Sequence, residues 1–213
     1  MTSSPDLAPS GPRAAIIVAG AAGAGLVVGG LTAYAQEWLP AEVGSLANSA
    51  GSWALVAFGL AMLAPTRASA ATVGALVLAA LLAGYVLAAA IRGDTSSARL
   101  IIFWGLAALL VGPPLGLAAH WVRAGQPMLA AIGVAAMSGV LVGEGAYGLA
   151  FVADTTYPPY WWGSSVVGLL LLTWIAVSRL RQVGPIALAI GLTAVVAGAF
   201  VVLYSTDLLT LLG

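Results

Sequence analysis

Glu144 is the acidic side chain set deepest in an apolar run of this chain, the run at 128–153. It falls roughly four residues past the centre of that run, about 6 Å along a helix that rises about 1.5 Å per residue. A carboxylate at that depth is costly, so it must find a polar partner, hold a proton or hydrate a cavity, and such residues turn toward a bundle interior. Gly143 and Gly145 leave room beside it, and Tyr147, three residues on, shares its helical face and can donate a hydrogen bond. Two roles fit these residues: binding of a proton or small solute, or a buried carboxyl that cements two helices.

A second polar group lies in the run at 43–64, where Ser45, Asn48 and Ser52 recur at helical spacing beside Trp53, and Asn48 is the sole asparagine of the chain. In the run at 100–122, Gly112-Pro113-Pro114 removes two amide donors and strands carbonyls near Leu109 and Leu110. Pro113 and Pro114 therefore predict a kinked or broken helix, and broken helices recur at binding sites in the middle of membranes. Together these groups predict one cavity among the second, fourth and fifth runs. Its ligand-binding set is Glu144, Tyr147, Asn48, Ser52, Trp53, Tyr85 and Trp104.

Catalytic chemistry finds little support. Ala136-Met137-Ser138-Gly139 resembles the Gly-x-Ser-Gly of rhomboid proteases, but the first glycine is replaced and the single histidine, His120, precedes the serine and lies far from it in depth. No aspartate falls inside a run, which excludes an intramembrane aspartyl dyad, and one histidine without cysteine cannot build an imidazole or thiolate metal site. No catalytic residue, metal or cofactor is expected. Lysine is absent and the formal net charge is +0, so neither a retinal Schiff base nor a basic nucleic-acid surface can form.

These side chains must be held by elements that live in lipid, because 62% of the residues are hydrophobic and only 7% charged, too few to cover a soluble surface. Apolar runs at 14–35, 43–64, 69–91, 100–122, 128–153, 161–178 and 183–206 each approach the roughly 20 residues that cross hydrocarbon. They lack the in-and-out alternation of barrel strands, so the chain reads as all-α, a polytopic transmembrane bundle of seven spans over 13–213 after a flexible tail at 1–12. Arg13, Arg67, Arg123, Arg179 and Arg181 fall on one side of these spans and Arg92 and Arg99 on the other. Short loops rich in arginine stay inside, which predicts a cytoplasmic amino terminus and an outside carboxyl terminus in a bacterial-type plasma membrane. Glu37, Glu42, Asp94, Asp154 and Asp207 lie opposite the arginine-rich side, with Asp6 the exception.

With that topology all six tyrosines and five tryptophans (Trp38, Trp53, Trp104, Trp161 and Trp162) fall in the outer half or outer loops, leaving Trp121 and Trp174 inward. An interfacial belt places aromatics at both boundaries, so this imbalance points either to an outward-facing aromatic recess or to an outer belt with two aromatic-rich loops that cap the bundle. Gly25 and Gly29, with Ala21 and Ala33, make a small-residue stripe that lets another helix approach, and Gly139 and Gly143 make a second with Ala135. Arg13 followed by an apolar run and Ala33-Tyr34-Ala35 also mimics a cleavable signal, although the run is long for one. A duplication of three spans either side of a central one is hinted by Gly30-Leu31-Thr32-Ala33-Tyr34 against Gly143-Glu144-Gly145-Ala146-Tyr147, a match near chance in so glycine-rich a chain.

The first span, the stretch Gln36-Glu37-Trp38-Leu39-Pro40 and the stretch Asn48-Ser49-Ala50-Gly51-Ser52-Trp53 resemble an uncharacterised family of small bacterial multi-pass membrane proteins. That resemblance implies no activity. In style the chain is also similar to substrate-binding subunits of energy-coupling-factor transporters, which have six spans and both termini inside, a pattern from which seven spans depart. The expected function is recognition or transport of a small solute, or of a proton, from the outer face. The alternative is a non-catalytic subunit that docks on a membrane partner through its small-residue stripes. The topology is checked by reporter fusions: a fluorescent protein should glow at the amino end and alkaline phosphatase should be active at the carboxyl end, and phosphatase activity confined to the amino end would overturn the orientation.

Overall fold

The computed structural model describes residues 11–206, and among them every regular element is helical. The helices are α1 (Pro12–Trp38), a short α2 (Ala41–Gly44) that runs into a 3-10 turn (Ser45–Asn48), α3 (Ala50–Ala61), α4 (Arg67–Ile91) and α5 (Ala98–Ala124). After them come α6 (Pro127–Tyr147), lengthened by a π turn to Val152, α7 (Pro158–Ile175), lengthened likewise to Leu180, and α8 (Val183–Ser205). Residues 1–10 of the expected tail, Asp6 among them, and Asp207 lie outside the described residues.

Local chemistry sets the ends of these helices. Proline opens α1, α6 and α7, where the first turn has no intrahelical amide bond to lose. Thr66 and Ser69 exchange side-chain and backbone bonds in a capping box that starts α4, and Ser97 Oγ accepts from Leu100 N at 3.2 Å to start α5. Six helices are long and apolar enough to cross a membrane, or seven segments if the bent pair 41–48 and 50–61 counts as one. The protein is thus an apolar helical membrane bundle.

The second apolar run is not the straight helix expected. Its two parts meet at Ser49 with a bend of 61°. Ser49 is extended (φ −92°, ψ 118°), so α3 begins anew there and, at 12 residues and about 1.5 Å each, is about 18 Å long, half a span. Ser45, Asn48 and Ser52 consequently do not share one helical face: the first two sit in the 3-10 turn and the third in the first turn of α3. Conversely α5 runs through Pro113 and Pro114 without interruption. Neighbouring helices hold its axis there: a Cβ on Gly112 would meet the Ala75 backbone of α4, and one on Gly116 would overlap the Ala70 carbonyl. The broken helix belongs to α3, not to α5.

Backbone contacts at glycine give the packing order. Gly25 lies on Val77 and Ala80, and Gly29 on Leu81, so α1 and α4 run parallel in close contact. Gly139 lies on Thr193 and Val196, and Gly143 on Ala197 and Phe200, so α6 and α8 form a matching parallel pair. The correspondence aligns Gly25 and Gly29 with Gly139 and Gly143, one residue out of register with the Gly30 to Gly143 match suggested by sequence, and it places α5 between the two sets. It is confined to these pairs, because α3 packs on α4, α5 and α6, whereas α7 packs chiefly on α6. α6 is the inner helix, with Val134, Met137 and Ser138 fully buried, while Leu109, Leu110, Trp174, Val177 and Val195 present apolar surface outward. One end of the bundle carries Glu37, Glu42, Asp94 and Asp154, and the other Arg13, Arg67, Arg123 and Arg179; below they are called the acidic and arginine ends.

Because a Cβ on Gly29 would overlap the Leu81 carbonyl, which cannot rotate away, Gly29→Leu should destabilise by about 1–3 kcal/mol and lower the melting temperature in detergent. Gly20→Leu, with nothing within 4 Å of its Cβ position, should leave it unchanged. Equal melting of the two variants would show that the α1–α4 contact contributes nothing.

Candidate functional site

Glu144 is 4% exposed and lies against the start of α3. Its Oε1 accepts from Gly51 N at 3.0 Å and its Oε2 from Ser49 Oγ at 2.9 Å. From α7, Ser164 Oγ reaches the same Oε2 at 3.3 Å while donating to Leu141 O at 3.0 Å. Ser49 Oγ in turn accepts from Ser52 N at 2.9 Å, and Ser52 Oγ donates back to Ser49 O at 2.8 Å. The first amides of a helix have no intrahelical partner, and a break inside an apolar bundle has no water to supply one. Glu144 and the Ser49 cap supply it, and the positive end of α3 faces the carboxylate.

Glycine makes this approach feasible. A Cβ on Gly51 would overlap Glu144 Oε2, and one on Gly145 would overlap Ser165 Oγ, so α3 and α7 both come closer to α6 than any side chain would allow. Tyr147 is not part of the arrangement: its ring stacks on Phe151 at 5.2 Å and meets Tyr204 of α8 edge-on at 5.5 Å. The hydroxyl expected from Tyr147 comes instead from Ser49 and Ser164.

Ser49 is also the floor of a cavity of about 100 Å³ that opens toward the acidic end and is lined by Gln36, Asn48, Trp53, Tyr85 and Trp104. Trp53 lies 5.6 Å from Trp104 and 6.3 Å from Tyr85 between ring centroids. Tyr85 Oη donates to Gln36 Oε1 at 3.1 Å, and Gln36 Nε2 donates to Asn48 Oδ1 at 2.7 Å, which ties α4, α1 and the 3-10 turn together across the mouth. Above it lies a wider recess of about 400 Å³ that shares Gln36, Tyr85 and Leu100 and adds Arg92, Asp94 and the loop 95–97. Arg92 is spent there on Glu37, on Asp94 at 2.9 Å and on the Ala33 carbonyl, and its guanidinium lies 5.5 Å from the Tyr34 ring centre.

Of the residues picked out from sequence, Asn48, Trp53, Tyr85 and Trp104 thus line one cavity, Glu144 lies directly behind its floor, and Ser52 caps the same helix turn. Tyr147 stands apart, and Pro113 and Pro114 remain in an intact helix. Gly25, Gly29, Gly139 and Gly143 lie inside the bundle against α4 and α8. Ser49, Gly51, Ser164 and Gln36 escaped sequence reading, although Ser49 carries a signal: a serine directly before an apolar run is a helix cap. Ser138 Oγ, midway along α6, and His120 Nδ1, toward the arginine end of α5, each lack a hydrogen-bond partner, so they do not bond to one another.

Fold and site define a helical membrane protein with a recess at one end and a carboxylate beneath it. The chain belongs to a family of unknown function, DUF6518, whose profile covers residues 8–209. No curated protein and no solved structure matches it significantly.

The bonds at Glu144 give an order of stability. Glu144→Ala leaves the Gly51 amide and the Ser49 hydroxyl without their acceptor, at about 1–3 kcal/mol for each buried donor left unpaired, and should lower the melting temperature sharply. Glu144→Gln keeps an oxygen for Gly51 and should melt between alanine and wild type. An alanine variant as stable as wild type would show that the carboxylate does not hold α3.

Proposed function

We propose that this protein recognises or moves a small solute through the recess at its acidic end, without a catalytic step. In this reading seven spans lie in a bacterial-type plasma membrane, with the arginine end cytoplasmic and the acidic end outside. The observation that carries it is that the recess at Arg92 and Asp94 and the cavity lined by Ser49 share Gln36, Tyr85 and Leu100 as walls, with the Ser49 hydroxyl bonded to the deep carboxylate. A buried carboxylate and a helix broken beside it are features of solute and ion sites in membrane proteins. The cavity is smaller than the roughly 300–1,000 Å³ that holds a drug-sized ligand, so its occupant is small.

A second reading has one observation behind it. The stripes at Gly25, Gly29, Gly139 and Gly143 are already covered by α4 and α8, but Gly184, Ala187, Gly191, Ala194 and Gly198 form an exposed small-residue stripe on α8. That face suits a partner helix, as a non-catalytic subunit would need. The two readings separate in one preparation. A solute binder at ligand concentrations near 100 times Kd gains about 2.7 kcal/mol, so a panel of small polar solutes should include one that raises the melting temperature saturably, and Trp104→Ala should abolish the rise. No response to any solute, together with stoichiometric copurification of another membrane chain, would favour the subunit.

A further inference from the structure

We propose that the pocket floored by Ser49 takes a compact organic cation, an alkylated ammonium group held against Trp53, Trp104 and Tyr85; this rests on the solute-binding reading above. The polar groups around the pocket are largely spent on one another. Gln36 gives its amide nitrogen to Asn48 and its oxygen to Tyr85. Ser49 gives its proton to Glu144 and its lone pair to Ser52 N. Asn48 Nδ2 and the indole N–H groups of Trp53 and Trp104 are the side-chain donors left over, with few free acceptors beside them, whereas the hydroxyls of a sugar or polyol bind through paired donors and acceptors. What remains for a ligand is aromatic surface, from Trp53 with Trp104 and Tyr85 at 5.6 and 6.3 Å from it between ring centroids.

Charge then chooses among apolar-bodied ligands. Arg92 is the sole basic residue along the cavity and the recess above it, and Glu37 and Asp94 both bind it. Among the described residues the acidic end holds Glu37, Glu42, Asp94 and Asp154 against Arg92 and Arg99, and Glu144 stands one side chain below the floor. With four carboxylates against two arginines among the described residues at this end, an anion meets net repulsion. A cation meets attraction from these carboxylates and from the negative faces of the rings, strongest at tryptophan. The small volume restricts the body of the cation to a few carbon atoms around the nitrogen.

The experiment uses the full chain in mild detergent and follows melting temperature against choline and against 3,3-dimethylbutan-1-ol, which has the same shape with carbon in place of the charged nitrogen. Choline should raise the melting temperature saturably and the neutral compound should not. Trp104→Leu, measured against its own unliganded baseline, should weaken choline at least tenfold, and Trp174→Ala, exposed at the arginine end, should leave it unchanged. Tryptophan fluorescence quenching by choline in wild type, lost in Trp104→Leu, gives a second readout should the variant melt too low. Equal stabilisation by the neutral compound, or a choline response that survives loss of Trp104, overturns the cation while leaving solute binding in place. No response to choline beside a response to an uncharged solute also overturns the cation alone. No response to any solute overturns both readings.

Discussion

A helix that starts inside an apolar bundle needs something to bind its first amides, and in this protein that need is met by a buried carboxylate together with a serine cap. Glu144 reaches from α6 to the Gly51 amide and the Ser49 hydroxyl, and the break in the second apolar run exists where that carboxylate can serve it. The dependence runs both ways. Without the break, Glu144 would keep only the Ser164 hydroxyl as a donor; without Glu144, the Gly51 amide would be left unpaired at a buried site. Everything else at the acidic end follows from this pairing. The short α2 and its 3-10 turn are left to fold over the top, and the space between them and α1, α4 and α5 becomes the cavity.

Small residues supply the room in which this happens. Gly51 and Gly145 let α3 and α7 approach α6 from two sides, so that hydroxyls from both helices converge on one oxygen. The α1–α4 and α6–α8 pairs use glycine in the same way but on longer stretches, carbonyl against backbone, and they frame the inner helices. Close backbone approach substitutes in lipid for the hydrophobic drive that assembles soluble cores.

The sequence made the class and much of the site legible, for identifiable reasons. Long apolar runs without in-and-out alternation mark helices because only helices and closed barrels satisfy a backbone in hydrocarbon, and six of the seven runs became continuous helices close to their expected bounds. Glu144 stood out because a charge there has no cheap alternative. Its partners were harder to see, since serine and glycine are common in this chain and only the fold tells which of them meet. Pro113 and Pro114 misled because proline removes a donor without deciding the path of the axis, and the fit of Gly112 and Gly116 against α4 held α5 continuous. The actual break had a weaker mark, a serine cap before Ala50. Tyr147 misled in another way: helical spacing fixes which residues share a face, but not whether an aromatic ring on that face turns to a carboxylate or to other rings.

The half-length of α3 has an electrical side. The cavity lined by Ser49 brings solvent from the acidic end close to a helix only about 18 Å long, while Glu144 and the Gly51 amide behind Ser49 stay buried. In a bilayer about 30 Å thick, the potential difference between the two faces would then fall mainly across what lies beneath the recess rather than across the whole thickness. Moving one elementary charge through the full potential involves about 2.3 kcal/mol per 100 mV, and a charge gained or lost at Glu144 samples a share of it set by its depth. The same carboxylate that ties down a helix end thereby lies within the field of the membrane.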